Sequence, residues 1–60
     1  MDINTANNII GKFSIRNNTD TFMETIEKMD DYLQRGILTD TEKQAYLLII
    51  DEYAAYYTAD

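Results

Sequence analysis

The sequence predicts an all-α fold: an antiparallel hairpin of two helices, with a short N-terminal segment packed across it. Residues 20–35 and 40–58 each carry apolar side chains at helical spacing. Both stretches have a Thr-x-x-Glu capping pattern at or near their start, and a short link joins them. The chain has no proline that would interrupt either helix. We therefore expect a single small helical domain over residues 1–60.

The N-terminal segment, residues 1–18, permits two interpretations. Apolar and polar positions alternate between two Asn pairs, which is typical of a strand, and the alternating set is Ile9, Gly11, Phe13 and Ile15. A helical stripe behind possible caps at Asp2 and Asn4 fits equally, through Ile3, Ala6, Ile10 and Phe13. We expect a short helix or turn that ends near Gly11, then an extended segment that lays Phe13 and Ile15 on the core.

The stretch 20–35 has clear start, stop and packing signals. Thr21 and Glu24 have capping-box spacing, although Thr19 or Asp20 would also serve as a cap. Its apolar positions have the spacing of a narrow coiled-coil stripe, which consists of Phe22, Ile26, Met29 and Leu33 with Met23 beside it. Gly36 can adopt the left-handed conformation that commonly ends a helix. These signals predict an amphipathic helix that ends at residue 35.

The stretch 40–58 contains the longest apolar run of the chain, from Ala45 to Ile50. Thr39 and Glu42 form a second capping-box pattern before it. Apolar character reaches further round this helix than the stripe of an ordinary surface helix, which indicates a second contact surface. Tyrosine is enriched at binding hot spots. The predicted partner-binding residues are Tyr46, Ile49, Ile50, Tyr53, Tyr56 and Tyr57. The same spacing is also what the core and rim of the hairpin require.

The composition limits the possible partners. Sixty residues bury a small core, and small scaffolds usually depend on disulfides, a metal or oligomerisation. With no Cys and no His, self-association is the expected route, as a homodimer in a four-helix arrangement. A net charge of −6 disfavours direct binding to nucleic acid or to an anionic membrane, and fits a protein partner with a basic surface. We expect a cytoplasmic protein, in the host cytoplasm if a phage encodes it.

The chain lacks the residue types on which most active sites depend, so we predict that it is not an enzyme and uses no cofactor or metal. No glycine-rich phosphate loop or calcium loop is present. Its carboxylates fit a solvated surface. Glu24, Glu27 and Asp31 share the outer face of the first hairpin helix and could imitate spaced phosphates, although Lys28 and Arg35 interrupt this acidic surface.

These observations predict a small acidic interaction module that binds and modulates a partner protein. Chains of this size and composition are typical of bacterial or phage regulators and inhibitors, an analogy of composition alone. Two alternatives stay open. One is a nucleic-acid-mimicking inhibitor of a DNA- or RNA-binding protein, and the other is a structural or assembly subunit.

Overall fold

The computed structural model describes the backbone of residues 1–57 and the side chains of residues 1–54. The described chain forms three helices and no strand: α1 (Ile3–Asn17), α2 (Phe22–Arg35) and α3 (Asp40–Tyr57). The all-α prediction is thus confirmed for this part of the protein. α1 packs mainly against α3, whereas α2 contacts each of the others less extensively.

α1 differs from the expectation for residues 1–18. The helix does not end near Gly11 but continues to Asn17, so the predicted extended segment was wrong. Asp2 caps its start, because the Asp2 carboxylate accepts a hydrogen bond from the Thr5 backbone N–H at 2.8 Å. Asn18 ends it in the left-handed region at φ 59°. The signals at the two ends outweigh the cost of one glycine inside the helix.

The burial pattern of α1 follows helical spacing and not alternation. Ala6, Ile10 and Phe13 are buried at successive turns of the helix. Phe13 therefore lies in the core, as expected. Ile15 is 82% exposed, and the prediction that it lies on the core was wrong. The reason is geometric, because two residues along a helix correspond to a turn of about 200°.

α2 and α3 begin with the predicted caps. The Thr21 hydroxyl accepts the Glu24 backbone N–H at 3.1 Å, while Glu24 Oε2 accepts the N–H of Asp20. At α3 the exchange is reciprocal between Thr39 and Glu42, with both distances 3.1 Å. Gly36 ends α2 at φ 73°. In the link that follows, Leu38 packs against the core, whereas Ile37 is exposed.

Side chains from all three helices form one core, whose buried apolar members are Ala6, Ile10, Phe13, Met29, Ala45, Tyr46 and Ile49. The Phe13 ring meets the Tyr32 ring edge to face at 5.3 Å between centroids. Tyr32 donates its hydroxyl hydrogen bond to the Asn17 side chain at 2.8 Å. α1 is thereby tied to α2 as well as to α3.

Glu42 is a buried carboxylate at the contact between α1 and α3. Its side chain is only 10% exposed and pairs with the guanidinium of Arg16. Burial alone would raise the pKa of Glu42, but the Thr39 N–H and Arg16 outweigh it and hold the pKa below its ordinary value of 4.5. The same carboxylate therefore caps α3 and pairs with α1.

None of the helices in the described residues has the length and apolar character required to cross a lipid bilayer.

Candidate interaction surface

The structure divides the predicted partner-binding residues of α3 into two groups. Tyr46 and Ile49 are buried, with 7% and 0% of their surface exposed, so they belong to the core. Ile50 and Tyr53 reach the surface, at 37% and 38%. The side chains of Tyr56 and Tyr57 lie outside the described residues.

Ile50 and Tyr53 are part of a larger apolar surface that spans two helices. Leu47, three residues before Ile50, is 48% exposed on the same side of α3. On α2, Phe22 and Met23 are 42% and 64% exposed. We call this surface the α2–α3 apolar face; it comprises Phe22, Met23, Ile26, Leu47, Ile50 and Tyr53.

Two side-chain contacts hold the two halves of this face together. The Phe22 ring packs against the Tyr53 ring with 5.0 Å between centroids. The Tyr46 hydroxyl donates a hydrogen bond to Asp30 Oδ1 at 3.1 Å. Burial, together with this hydrogen bond and the Asp30 charge, raises the pKa of Tyr46 above its ordinary value of 10.0. A tyrosine hydroxyl is protonated at neutral pH in any case, and the raised pKa extends its donation to Asp30 to more alkaline pH.

The packing of α1 explains why this face is uncovered in the described part of the chain. α1 packs mainly on α3, and Ala45 and Ile49 are buried in the shared core. Leu47 and Ile50 lie roughly 100–160° further round α3 than these residues, by the turn of a helix. They are therefore directed away from α1, and α2 covers them incompletely.

The residues of the predicted acidic surface lie on the outer side of α2, and Glu27, one turn after Met23, borders the α2–α3 apolar face as well. Glu24, Glu27 and Asp31 line one open depression of about 410 Å³, together with Lys28 and with residues 17–19. Two of the three carboxylates already have partners within the chain. Asp31 pairs with Arg35 at 3.1 Å, and Glu24 accepts the backbone N–H of Asp20. Internal partners and Lys28 thus offset part of the negative charge.

Sequence reasoning missed four members of the α2–α3 apolar face: Phe22, Met23, Ile26 and Leu47. A signal was present for two of them. Met23 lies off the core stripe of α2, and Leu47 precedes Ile50 by three residues, which places it on the same side of α3. Phe22 and Ile26 were both assigned to the core stripe; Phe22, the first residue of α2, is 42% exposed, and Ile26 is partly buried.

Comparisons of the chain with protein-family models, with curated proteins and with solved structures found no match. The geometry and chemistry of the chain itself are therefore the guide to its function.

Proposed function

We propose that this protein is a non-enzymatic interaction module that binds a partner protein through the α2–α3 apolar face and modulates it by occupying its surface. The observation that carries the proposal is the exposure of five large apolar side chains on one two-helix surface. Scattered exposed apolar residues are normal, but a continuous patch of them usually marks a binding site. The absence of His and Cys supports the non-enzymatic part.

The same face supports self-association as a second part of the proposal. Phe22 at the start of α2 meets Tyr53 late in α3, and Asp30 further along α2 meets Tyr46 nearer the start of α3. This order of contacts is the one expected of an antiparallel hairpin. Two such hairpins, packed face to face, would give a homodimer with a four-helix arrangement.

A tagged copy of the chain, used as bait in lysate of its native cells, tests the first part. The bait variant Met23→Ser/Leu47→Ser removes apolar surface from the face without touching a fully buried residue. Ile15→Ser is the matched control, because Ile15 is exposed on α1, outside the face. Far-UV circular dichroism verifies that all three baits stay helical.

We expect a stoichiometric partner to be recovered by the wild-type chain and by Ile15→Ser, and to be lost with the face variant. A partner that is recovered equally by all three baits would overturn the assignment of the face. Loss with Ile15→Ser alone would place the binding surface on α1.

The acidic surface favours one second candidate function, imitation of a nucleic-acid backbone. Its support is that Glu24, Glu27 and Asp31 border the same depression. Glu27→Gln/Asp31→Asn neutralises two of these carboxylates and spares Glu24, which takes part in the cap of α2. If this double variant abolished capture of the partner while Met23→Ser/Leu47→Ser retained it, the mimicry function would replace the first proposal.

A further inference from the structure

The edges of the α2–α3 apolar face carry negative charge. On α2, Glu27 follows Met23 by one turn, and Asp30 follows Ile26 by one turn. On α3, Asp51 follows Leu47 by one turn. All three carboxylates are exposed residues, and the Tyr46 hydroxyl holds Asp30 at the boundary between the two helices.

One cation lies at this edge in the described part of the chain. Lys43 precedes Leu47 by one turn and is exposed. Arg16 is engaged with Glu42, and Arg35 with Asp31, so neither compensates the edge of the face. The rim defined by Glu27, Asp30, Asp51 and Lys43 therefore has an excess of negative charge, within a chain whose net charge is −6.

At low salt a second copy of the chain is a weaker occupant of such a face than a basic helix, and it pairs only at high protein concentration. An isologous contact brings each acidic rim against its own copy, and like charges across an interface cost affinity. A large side chain has on the order of 200 Å² of surface when it is fully exposed. On that basis the exposed parts of the five large side chains together amount to roughly 450 Å². Two copies would then bury about 900 Å² of apolar surface, which corresponds to about 1,400–1,600 Å² in total at the usual apolar fraction of interfaces and lies within the range of a stable one. The charge of the rim, and not the available area, therefore disfavours the second copy.

From this charge pattern we infer that the α2–α3 apolar face receives an amphipathic helix of a partner protein with Lys or Arg residues beside its apolar stripe. The inference rests on the proposed function and adds the chemistry of the partner. The apolar stripe of the incoming helix covers Leu47, Ile50 and the Phe22–Tyr53 pair, as in helix-in-groove recognition. Its flanking cations lie against Glu27, Asp30 and Asp51. Such a helix competes with self-association, because both use the same surface.

The salt dependence of binding distinguishes a basic partner helix from a second copy as the occupant of the face. Binding of a basic helix weakens as ionic strength rises, since screening reduces the attraction between opposite charges. Self-association strengthens under the same change, because screening reduces the repulsion between two acidic rims. Opposite salt dependences are therefore expected for the two equilibria.

The test uses synthetic 18-residue peptides of defined sequence on the intact chain. One peptide has Leu at i, i+3, i+4 and i+7 with Lys beside the stripe, and a matched peptide has Glu in place of each Lys. Each carries a single Trp as a fluorescence reporter, which works because the protein has no Trp. Titrations at about 50 mM and about 500 mM salt bracket a change in Debye length from roughly 14 to 4 Å.

Three variants assign the charge effect to the rim. Asp51→Asn removes a rim charge, and Glu52→Gln, one residue further along, removes the same charge about 100° away round the helix. We expect Asp51→Asn to weaken binding of the Lys peptide about two- to five-fold at low salt, and Glu52→Gln to change it less than two-fold. Lys43→Gln should strengthen binding, because it removes the positive charge from the rim.

The outcomes separate the inference from the proposed function. The inference predicts that the Lys peptide binds at least tenfold more tightly than the Glu peptide at low salt, and that Met23→Ser/Leu47→Ser abolishes this binding. If both peptides bind equally and the face variant loses both, the face is a binding surface but the inferred partner chemistry is overturned. If the face variant binds the Lys peptide as wild type does, the face assignment fails together with the inference. A dimer that the Lys peptide does not dissociate would identify the occupant as a second copy and would also overturn the inference.

Discussion

The two glycines of this chain should respond in opposite ways to replacement by alanine. Gly11 lies inside α1 with an ordinary helical backbone, and a Cβ built there has no atom within 4 Å. Gly36 ends α2 at φ 73°, a conformation that side chains with a Cβ rarely adopt. Gly11→Ala should therefore stabilise the protein by about 0.5–1 kcal/mol, because alanine loses less backbone entropy on folding. Gly36→Ala should cost about 1–2 kcal/mol.

These free energies correspond to measurable shifts of the melting temperature. For a domain of this size, 1 kcal/mol corresponds to about 4–8 °C, so Gly11→Ala should raise Tm by about 2–8 °C. Gly36→Ala should lower it by about 4–16 °C by the same conversion. Thermal and urea unfolding, followed by circular dichroism at 222 nm and at one fixed protein concentration, measures both. Combining the two substitutions keeps the Gly36 variant folded enough for a full transition.

A fall in Tm for Gly11→Ala would refute the account of α1. Gly11 would then require a left-handed backbone, as at the end of a short helix, and residues 3–17 would not form one helix. The sign of the Tm change for Gly11→Ala therefore shows whether residues 3–17 form one helix, and its exact magnitude is not needed.

Three further predictions concern the core, the buried carboxylate and a helix cap. Phe13→Leu should lower the free energy of unfolding by about 1–2 kcal/mol through the loss of aromatic packing, whereas Ile15→Ala should change it by less than about 0.5 kcal/mol; urea unfolding compares them. The pKa of Glu42 is lowered in the folded state, so its stabilising contribution is present above 4.5 and is lost as the pH falls below that value. Glu42→Gln should therefore flatten the dependence of Tm on pH between about 5 and 3, relative to wild type. Thr21→Ala should cost about 1 kcal/mol, and an equal loss with Thr41→Ala would argue against a specific capping effect.

The ends of α2 and α3 were predictable because each is specified by local chemistry. A hydroxyl at Thr21 or Thr39 satisfies backbone donors three residues later, and Gly36 supplies the left-handed stop. Such signals depend on neighbouring residues alone, so the sequence contains them in full. α2 begins two residues after the predicted start and ends at Arg35, and α3 begins at Asp40.

α1 was harder to predict because two periodicities compete in residues 9–16. Phe13 belongs to both the alternating pattern and the helical stripe, so it does not discriminate between them. Ile15 is apolar yet 82% exposed, so it completes an alternating pattern of apolar residues that does not correspond to burial. Whether residues 9–16 form a strand or a helix depends on packing against α3, since the buried side of α1 faces the Ala45–Ile49 side of that helix. A sequence pattern does not contain this long-range information.

Only part of the candidate surface was predicted, again because burial depends on contacts between helices. The excess of apolar residues on α3 was visible in the sequence, but which of them a neighbouring helix would cover was not. Tyr46 and Ile49 are covered, whereas Ile50 and Tyr53 remain at the surface. The contribution of α2 to the face depends on the Phe22–Tyr53 contact, which joins residues 31 positions apart.

Molar mass in solution tests most directly the claim that the α2–α3 apolar face is the association surface. Light scattering over a concentration series, at low and high salt, would be applied to the wild-type chain, Met23→Ser/Leu47→Ser and Ile15→Ser. We predict that wild type and Ile15→Ser rise from 7.0 kDa towards twice that mass with increasing concentration, more readily at high salt, while the face variant stays at 7.0 kDa. A dimer that persists in the face variant would contradict the assignment of the face, and a wild-type chain that stays at 7.0 kDa throughout would contradict self-association through it.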